Sequence, residues 1–332
     1  MATLNDVAKR AGVAPVTVSR VINDPGAVRE ETRERVRKAM AQLQYIPNMA
    51  ARNLVTKRSG VIDIYLPESM DLSNPFAMHF ISGISEVLSQ HMYSLLILRN
   101  REHEHICDGY IVTGLLRNEI FDFERYAAER SRPVVLFGHT ELPGVSCIDV
   151  DNVEGGRMGT RQLTELGHRR VAMINVAENK DYTADRLSGY QEALEEAGLP
   201  FRSELVVYAE NSIAGGAEAA KSLLAVGGFS AVFCATDTVA VGAVSALADA
   251  GLRMPQDVSI VGFDGLGYQN LVSPRLTSVQ QPIFEIGKML ASELLERISG
   301  RGGKLSRLVA PVMYIGASTA PPSGAVQEEH LE

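Results

Sequence analysis

Six polar side chains stand where they could hold a small polar molecule: Asp151, Asn152, Arg186, Thr236, Asp237 and Asp264. Each lies at the end of an apolar run or just after one. Asp and Arg facing a cleft make the paired hydrogen bonds that a polyol or a nucleobase needs. Phe76 would supply an apolar wall. Asp151 and Asn152 can also cap the helix that follows them, and Asp237 can cap its own. Arg186 and Asp264 have no such local role. A second set lies near the N-terminus, where Pro15, Val16, Ser19 and Arg20 share one side of a short helical stretch. Arg bridges guanine O6 and N7 in a major groove, and small apolar groups touch a thymine methyl. Thr17 and Ser19 suit phosphate oxygens, which position without specifying.

Charge separates the two sets. Residues 1–58 carry 11 Lys and Arg against 5 Asp and Glu, a net +6; the remaining residues carry 21 against 35, a net −14. A small basic head on a large acidic body implies a nucleic-acid module joined to a part that does not bind nucleic acid. The competing reading is a charge-rich helical cap.

The elements that position the N-terminal set follow from local signals. Thr3 is an N-cap with Asp6 three residues on, and Leu4, Val7, Ala8 and Ala11 recur at helical spacing. Gly12 stops that helix and Pro15 starts the next, which runs to about Ile22. Asn23-Asp24-Pro25-Gly26 is turn chemistry. A third helix, about Glu30 to Leu43, buries Val36, Ala39, Met40 and Leu43. Two short helices on a Gly turn, braced by a third, are a helix-turn-helix. Pro47 then breaks the chain, Asn48 can cap, and Met49 to Val55 has length for two helical turns. So short a helix is marginal unless docked. Leu54 there is a residue type that wedges base steps apart from the minor groove; the plainer reading is a linker.

The body alternates short apolar runs with helical patterns. Val61–Leu66, Ser94–Leu98, Gly109–Val112, Val134–Phe137, Val171–Val176, Leu205–Tyr208, Ala231–Cys234 and Val258–Phe263 read as buried strands. Helical patterns include Phe76 to Gln90, Gly156 to Leu166, Leu187 to Ala197 and Gly216 to Leu224. This is an α/β pattern of parallel sheets covered on both faces, with ligands beyond the carboxyl ends of the strands. Between Leu98 and Gly109 there is room only for a loop. Ten extended residues reach about 33 Å; stepping over one strand and returning along it needs ~10 and ~17 Å. One sheet face should therefore be thinly covered. His103, His105 and Cys107 alternate on that loop, but no fourth ligand follows at suitable spacing, so no metal or cofactor is expected.

Leu4-Asn5-Asp6-Val7-Ala8, Gly12-Val13, Thr17-Val18-Ser19-Arg20-Val21-Ile22-Asn23, Tyr45-Ile46-Pro47-Asn48 and Ala51-Arg52-Asn53-Leu54 resemble the lactose/galactose repressor family of bacterial transcription regulators. The likeness continues through Ser73-Asn74-Pro75-Phe76, Leu166-Gly167-His168-Arg169, Asp185-Arg186, Ala235-Thr236-Asp237, Val261-Gly262-Phe263-Asp264 and Pro274-Arg275-Leu276-Thr277, over about residues 3–318. The family usually has a helix where residues 99–108 form a loop. The resemblance implies an all-α helix-turn-helix head with a hinge helix, then a two-lobed, periplasmic-binding-protein-like body of doubly wound parallel sheets. The expected division is 1–46 for the head, 47–58 for the hinge helix and linker, 59–318 for the body and 319–332 for a flexible tail. Lobe one would take about 59–150 and 281–307, and lobe two 151–280 and 308–318. Operator contacts are expected from Thr3, Pro15, Val16, Thr17, Ser19, Arg20, Asn23, Arg52 and Leu54. Effector contacts are expected from Phe76, Asp151, Asn152, Arg186, Thr236, Asp237 and Asp264.

The expected partners are double-stranded operator DNA, a small-molecule effector and a second copy of the chain. A sugar or sugar-derived inducer leads; a purine-like corepressor is the alternative. Trp is absent, which leaves Phe76, Tyr182 and Phe263 for stacking. An enzyme on the same fold would need a nucleophile or acid–base pair in the cleft, and only binding groups stand there. A transport receptor is disfavoured by the basic head and by a polar N-terminal pattern unlike a secretory signal. No apolar run approaches ~18 residues, and Cys107, Cys147 and Cys234 are too few for a disulfide framework. A bacterial cytoplasmic protein is expected. Ala317 to Glu332, rich in Pro, Ser and Glu, reads as a solvated tail.

Overall fold

The computed structural model describes residues 2–23, 25–45, 58–102 and 105–323. The chain forms two compact units, Met1–Gly60 and Val61–Glu332.

Among its described residues the first unit has three α-helices: α1 (Leu4–Ala11), α2 (Pro15–Asn23) and α3 (Glu30–Gln42). Thr3 and Asp6 form a reciprocal cap on α1. The Thr3 amide donates to Asp6 Oδ2 at 2.8 Å and the Asp6 amide donates to Thr3 Oγ1 at 3.3 Å. Gly12 ends α1 at φ +65°, left-handed backbone that a side chain would strain. Val7, Ala8, Val18, Val21, Val36 and Ala39 form a small core from all three helices. The segment proposed as hinge helix, with Arg52 and Leu54, lies outside the described residues, as does His103.

The second unit contains two six-stranded sheets. The strands are β1 (Val61–Tyr65), β2 (Ser94–Leu98), β3 (Gly109–Val112), β4 (Val134–Phe137), β5 (Val145–Val150), β6 (Val171–Val176), β7 (Val206–Ala209), β8 (Ala231–Cys234), β9 (Ser259–Asp264), β10 (Thr277–Gln280), β11 (Ser306–Val309) and β12 (Val312–Tyr314). One sheet runs β11-β5-β4-β3-β1-β2, wholly parallel. The other runs β12-β10-β9-β8-β6-β7 and is parallel except for β12. Every residue of β5 and β6 is buried. That is why these strands read as unbroken apolar runs: helices cover both faces.

In the first lobe α4 (Pro75–Gln90) and α10 (Ile283–Ile298) pack on one face through Phe80, Ile84, Leu88, Ile286, Leu290 and Leu294. The other face carries α5 (Arg117–Glu129), with Phe123 beside Tyr110 and Cys147. In the second lobe α6 (Asn152–Glu165) and α7 (Asp181–Glu196) cover one face, and α8 (Ile213–Val226) and α9 (Asp237–Asp249) the other. The chain passes between sheets three times: Val150 to Asn152, Gln280 to Ile283, and Val309 to Val312.

The short crossover steps over β1 to join β2 to β3, as its length requires. Side chains pin it in place of a helix. Arg99 donates to the Glu68 and Met70 carbonyls at 3.0 and 2.7 Å, and His105 Nε2 meets the buried Asp63 Oδ1 at 2.7 Å. Thin cover is confined to the edge, where Leu96 is 42% exposed.

The C-terminal expectation needs correction. Residues 317–323 are not a solvated tail. Ser318 is fully buried, with Oγ accepting from the Thr277 amide at 2.8 Å. The Ala320 carbonyl is met by His168 Nε2 at 2.9 Å and by Ser259 Oγ at 3.0 Å. Pro and Ser suited a tail by composition, but Ser259, Thr277 and His168 each needed a buried partner.

Candidate functional site

A cavity of about 290 Å³ lies among the carboxyl ends of the strands of both sheets, near the lower end of the ~300–1,000 Å³ common for small-molecule sites. The first lobe contributes an apolar side: Met70, Phe76, Leu115, Ile120, Leu136 and Phe137. Phe76 stacks on Phe80 at 5.7 Å and tilts against Phe137 at 5.4 Å, so its ring is held. The second lobe contributes a polar side: Glu178, Lys180, Asp181, Tyr182, Arg186, Asn211, Thr236 and Asp264. Asp149 and Gln281, next to two of the three crossings, also line it.

Arg186 projects from α7 and is 4% exposed. Its Nε donates to Asn152 Oδ1 at 3.0 Å and its Nη1 to the Ala235 carbonyl. The guanidinium lies over the Phe263 ring at 3.5 Å and the Tyr182 ring at 4.7 Å, with Asp264 Oδ1 at 4.0 Å. These contacts fix the plane of the guanidinium. The depth of α7 that this requires rests on two glycines. A Cβ at Gly189 would stand 1.9 Å from the Val153 carbonyl oxygen, and one at Gly156 2.3 Å from that of Arg186. Gly189→Ala is therefore expected to force α6 and α7 apart, lowering stability by ~1–3 kcal/mol in urea denaturation and tilting Arg186 out of register. An unchanged denaturation midpoint would show that the helices yield freely.

Asp264 sits at φ +122°, backbone that L-residues rarely adopt and that costs about 1–3 kcal/mol. Gln281 holds it, the side-chain amide donating to Oδ1 at 2.7 Å and the backbone amide to the Asp264 carbonyl at 2.9 Å. Burial raises the pKa of Asp264, with Arg186 pulling it back. Asp149, 8% exposed, is pushed up to about 7 by burial, against the Val150 amide and the Arg186 charge. Tyr182 donates to Glu178 at 2.7 Å, and burial raises its pKa well above the ordinary phenol value. Lys180 pairs with Glu178 at 2.9 Å.

Of the expected effector residues, Phe76, Arg186, Thr236 and Asp264 meet on the cavity wall. Asp151, Asn152 and Asp237 do not. Asp151 caps α6, accepting from the Glu154 amide at 2.9 Å. Asn152 orients Arg186. Asp237, 1% exposed, ties α9 to β9 and β10 by accepting from the Gly265 amide at 2.8 Å and Ser278 Oγ at 2.7 Å. Burial, then the neighbouring Asp264, raises its pKa. Sequence reasoning missed Asp149, Glu178, Lys180, Asp181, Asn211 and Gln281. Asp149 carried a signal, a carboxylate inside an otherwise apolar strand.

In the first unit Thr3, Pro15, Val16 and Arg20 are exposed, and Thr17 and Ser19 are half-buried. Val16 is 57% exposed, high for an apolar residue on a short helix, while Val18 on the opposite side is fully buried. Asn23 ends α2, and its side chain lies outside the described residues.

A helix-turn-helix unit and a two-lobed body with a polar cleft define a ligand-responsive DNA-binding regulator. Residues 3–48 match the family of bacterial regulatory proteins, lacI family, and residues 61–318 match the periplasmic binding proteins and sugar binding domain of the LacI family. The chain belongs to the LacI family of transcriptional regulators. It is 38% identical over 322 residues to the HTH-type transcriptional regulator YvdE of Bacillus subtilis, covering 96% of this chain and 100% of that one. Among solved structures it is similar to a CelR–cellobiose complex, with 31% identity, TM-score 0.73 and coverage of 96% of this chain and 100% of that one. It is also similar to the lac repressor dimer bound to operator and the anti-inducer ONPF, with 26% identity, TM-score 0.74 and coverage of 96% and 99%. Among the described residues no helix is long and apolar enough to cross a membrane.

Proposed function

We propose that this protein is a cytoplasmic repressor that binds a two-fold operator as a homodimer and is released by a sugar seated in the cleft. The observation that carries the sugar reading is the two-sided wall. A held aromatic ring and an Arg–carboxylate pair, the arginine buried and the carboxylate half-buried, line one cavity, matching the C–H face and hydroxyl edge of a sugar. The cellobiose held by the structural neighbour CelR supports the same class. Phe76, Asp149, Arg186, Thr236 and Asp264 would contact the effector. A ligand spanning both lobes changes their relative closure, and operator affinity changes with it by linkage. Thermal shift with a panel of sugars and nucleobases tests this. A sugar should raise the melting temperature and weaken operator binding; stabilisation by nucleobases alone would overturn the reading.

In the head, Arg20 would read a base and the residues around it phosphates. Arg20→Ala is expected to relax specificity at one base pair per half-site, costing ~1–3 kcal/mol there. Competition among operator variants checks it. A uniform loss over all variants would place Arg20 on a phosphate.

A further inference from the structure

The cavity wall is short of unpaired positive charge. Its carboxylates are Asp71, Asp149, Glu178, Asp181 and Asp264; its permanent cations are Lys180 and Arg186. Both cations already have partners. Lys180 is 2.9 Å from Glu178, and Arg186 lies 4.0 Å from Asp264 with two further hydrogen bonds. His139, also on the wall, is 3.0 Å from Glu141.

Helix N-termini are the other means of holding an anion, and each helix that starts beside a wall residue carries a side-chain acceptor or an acidic residue in its first turn. Asn74 Oδ1 accepts from the Phe76 amide at 2.9 Å at the start of α4. Thr236 Oγ1 accepts from the Val239 amide at 3.2 Å at the start of α9. Asp181 puts a carboxylate in the first turn of α7.

From this wall we infer that the effector is an uncharged saccharide and that its phosphate esters are excluded. The inference rests on the sugar reading above and narrows it. A hydroxyl can donate to the spare lone pairs of Asp149 and Asp264 and accept from Arg186. A phosphate ester carries a charge of about −1.5 to −2 at neutral pH, and it would lie among carboxylates where, among the described residues, both wall cations are already in ion pairs. Like charges repel more strongly in a partly buried cleft than in bulk water.

The test uses the full-length protein and matched pairs: glucose, galactose, ribose and cellobiose, each beside its monophosphate ester, read by thermal shift and titration calorimetry. The uncharged member of a pair should bind, with its ester at least about 100-fold weaker. An ester that binds more tightly than its parent overturns the inference and leaves the sugar reading standing. Binding by adenine or guanine alone overturns the sugar reading and this inference with it. Inorganic phosphate, compared with chloride at matched ionic strength, tests the wall without knowledge of the effector. It should leave the melting temperature unchanged. A rise that disappears in Arg186→Met overturns the inference. Asp149→Asn removes one carboxylate and should narrow the gap between sugar and ester about 10-fold; a widened gap counts against it.

Discussion

Arg186→Met should abolish the effector response and leave operator affinity within about 2-fold of the parent. Among the described residues Arg186 is the only buried arginine on the cavity wall, and its orientation is set from three sides, by Asn152, the Ala235 carbonyl and the Phe263 ring. A hydrogen bond from a charged donor contributes ~1.5–3 kcal/mol, so its loss alone weakens binding by about 10- to 150-fold. Losing the ordered Asp264 beside it adds to that. The fold should survive. Breaking a buried ion pair can cost ~3–5 kcal/mol when a charge is stranded, but the raised pKa of Asp264 lets it take up a proton instead. Met also keeps most of the volume against Phe263. Arg186→Lys should not rescue the response, because an ammonium cannot keep the planar contacts. Calorimetry on the effector and gel-shift on the operator separate the two affinities. A variant that still responds at the parent's effector concentration would put the binding charge on Lys180.

The second large effect is on stability against pH. Asp149, Asp237 and Asp264 all have pKa values raised by burial, Asp149 to about 7. A carboxyl whose folded pKa exceeds its unfolded value binds its proton more tightly in the folded chain. Its contribution is fully present below the unfolded value and is lost as pH rises through the folded one. The ligand-free protein should therefore lose roughly 2–4 kcal/mol between about pH 6.5 and 8.5. The carboxylates with lowered pKa values, such as Asp257, act far below this window. His168, lowered by burial, acts on its acid side. Asp149→Asn keeps an oxygen for the Val150 amide and removes the titration, so the slope should flatten. Effector affinity should run the other way and fall as pH drops below about 7, because a protonated Asp149 is a poorer acceptor. Melting temperatures across this range test both. A rising or flat curve for the parent would mean that these carboxylates stay ionised in the folded state.

The helical head was legible because its signals are local. Thr3, Asp6, Gly12 and Pro15 act within a turn of where they stand. β3, β4, β6 and β8 were legible for a different reason: with both faces covered, each is an apolar run with polar ends. The return of the chain after α10 was not. Ser306, Arg307 and Leu308 of β11 are exposed on a sheet edge and carry no alternation, and β12 is three residues long. The cleft was half legible. Arg186 and Asp264 stand out because no local partner explains them. Asp151 and Asp237 have the same chemistry as a ligand contact and as a cap, and sequence alone cannot separate those roles. Glu178, Lys180 and Asn211 come from loops, where no periodicity marks which residue faces inward.

The three passages between the sheets also dictate an order of assembly during synthesis. β6 to β10 and their helices are one continuous stretch, so most of the second lobe can fold as it leaves the ribosome. The first lobe cannot. Ile84 and Leu88 of α4 wait for Ile286, Leu290 and Leu294 of α10, some two hundred residues later. Until then that apolar face is open to water and to other nascent chains, the condition under which long-range contacts slow folding and invite aggregation. A chain stopped just before Ile283 would carry nearly every ligand-facing side chain and still lack the helix that keeps its first sheet from sticking to its neighbours.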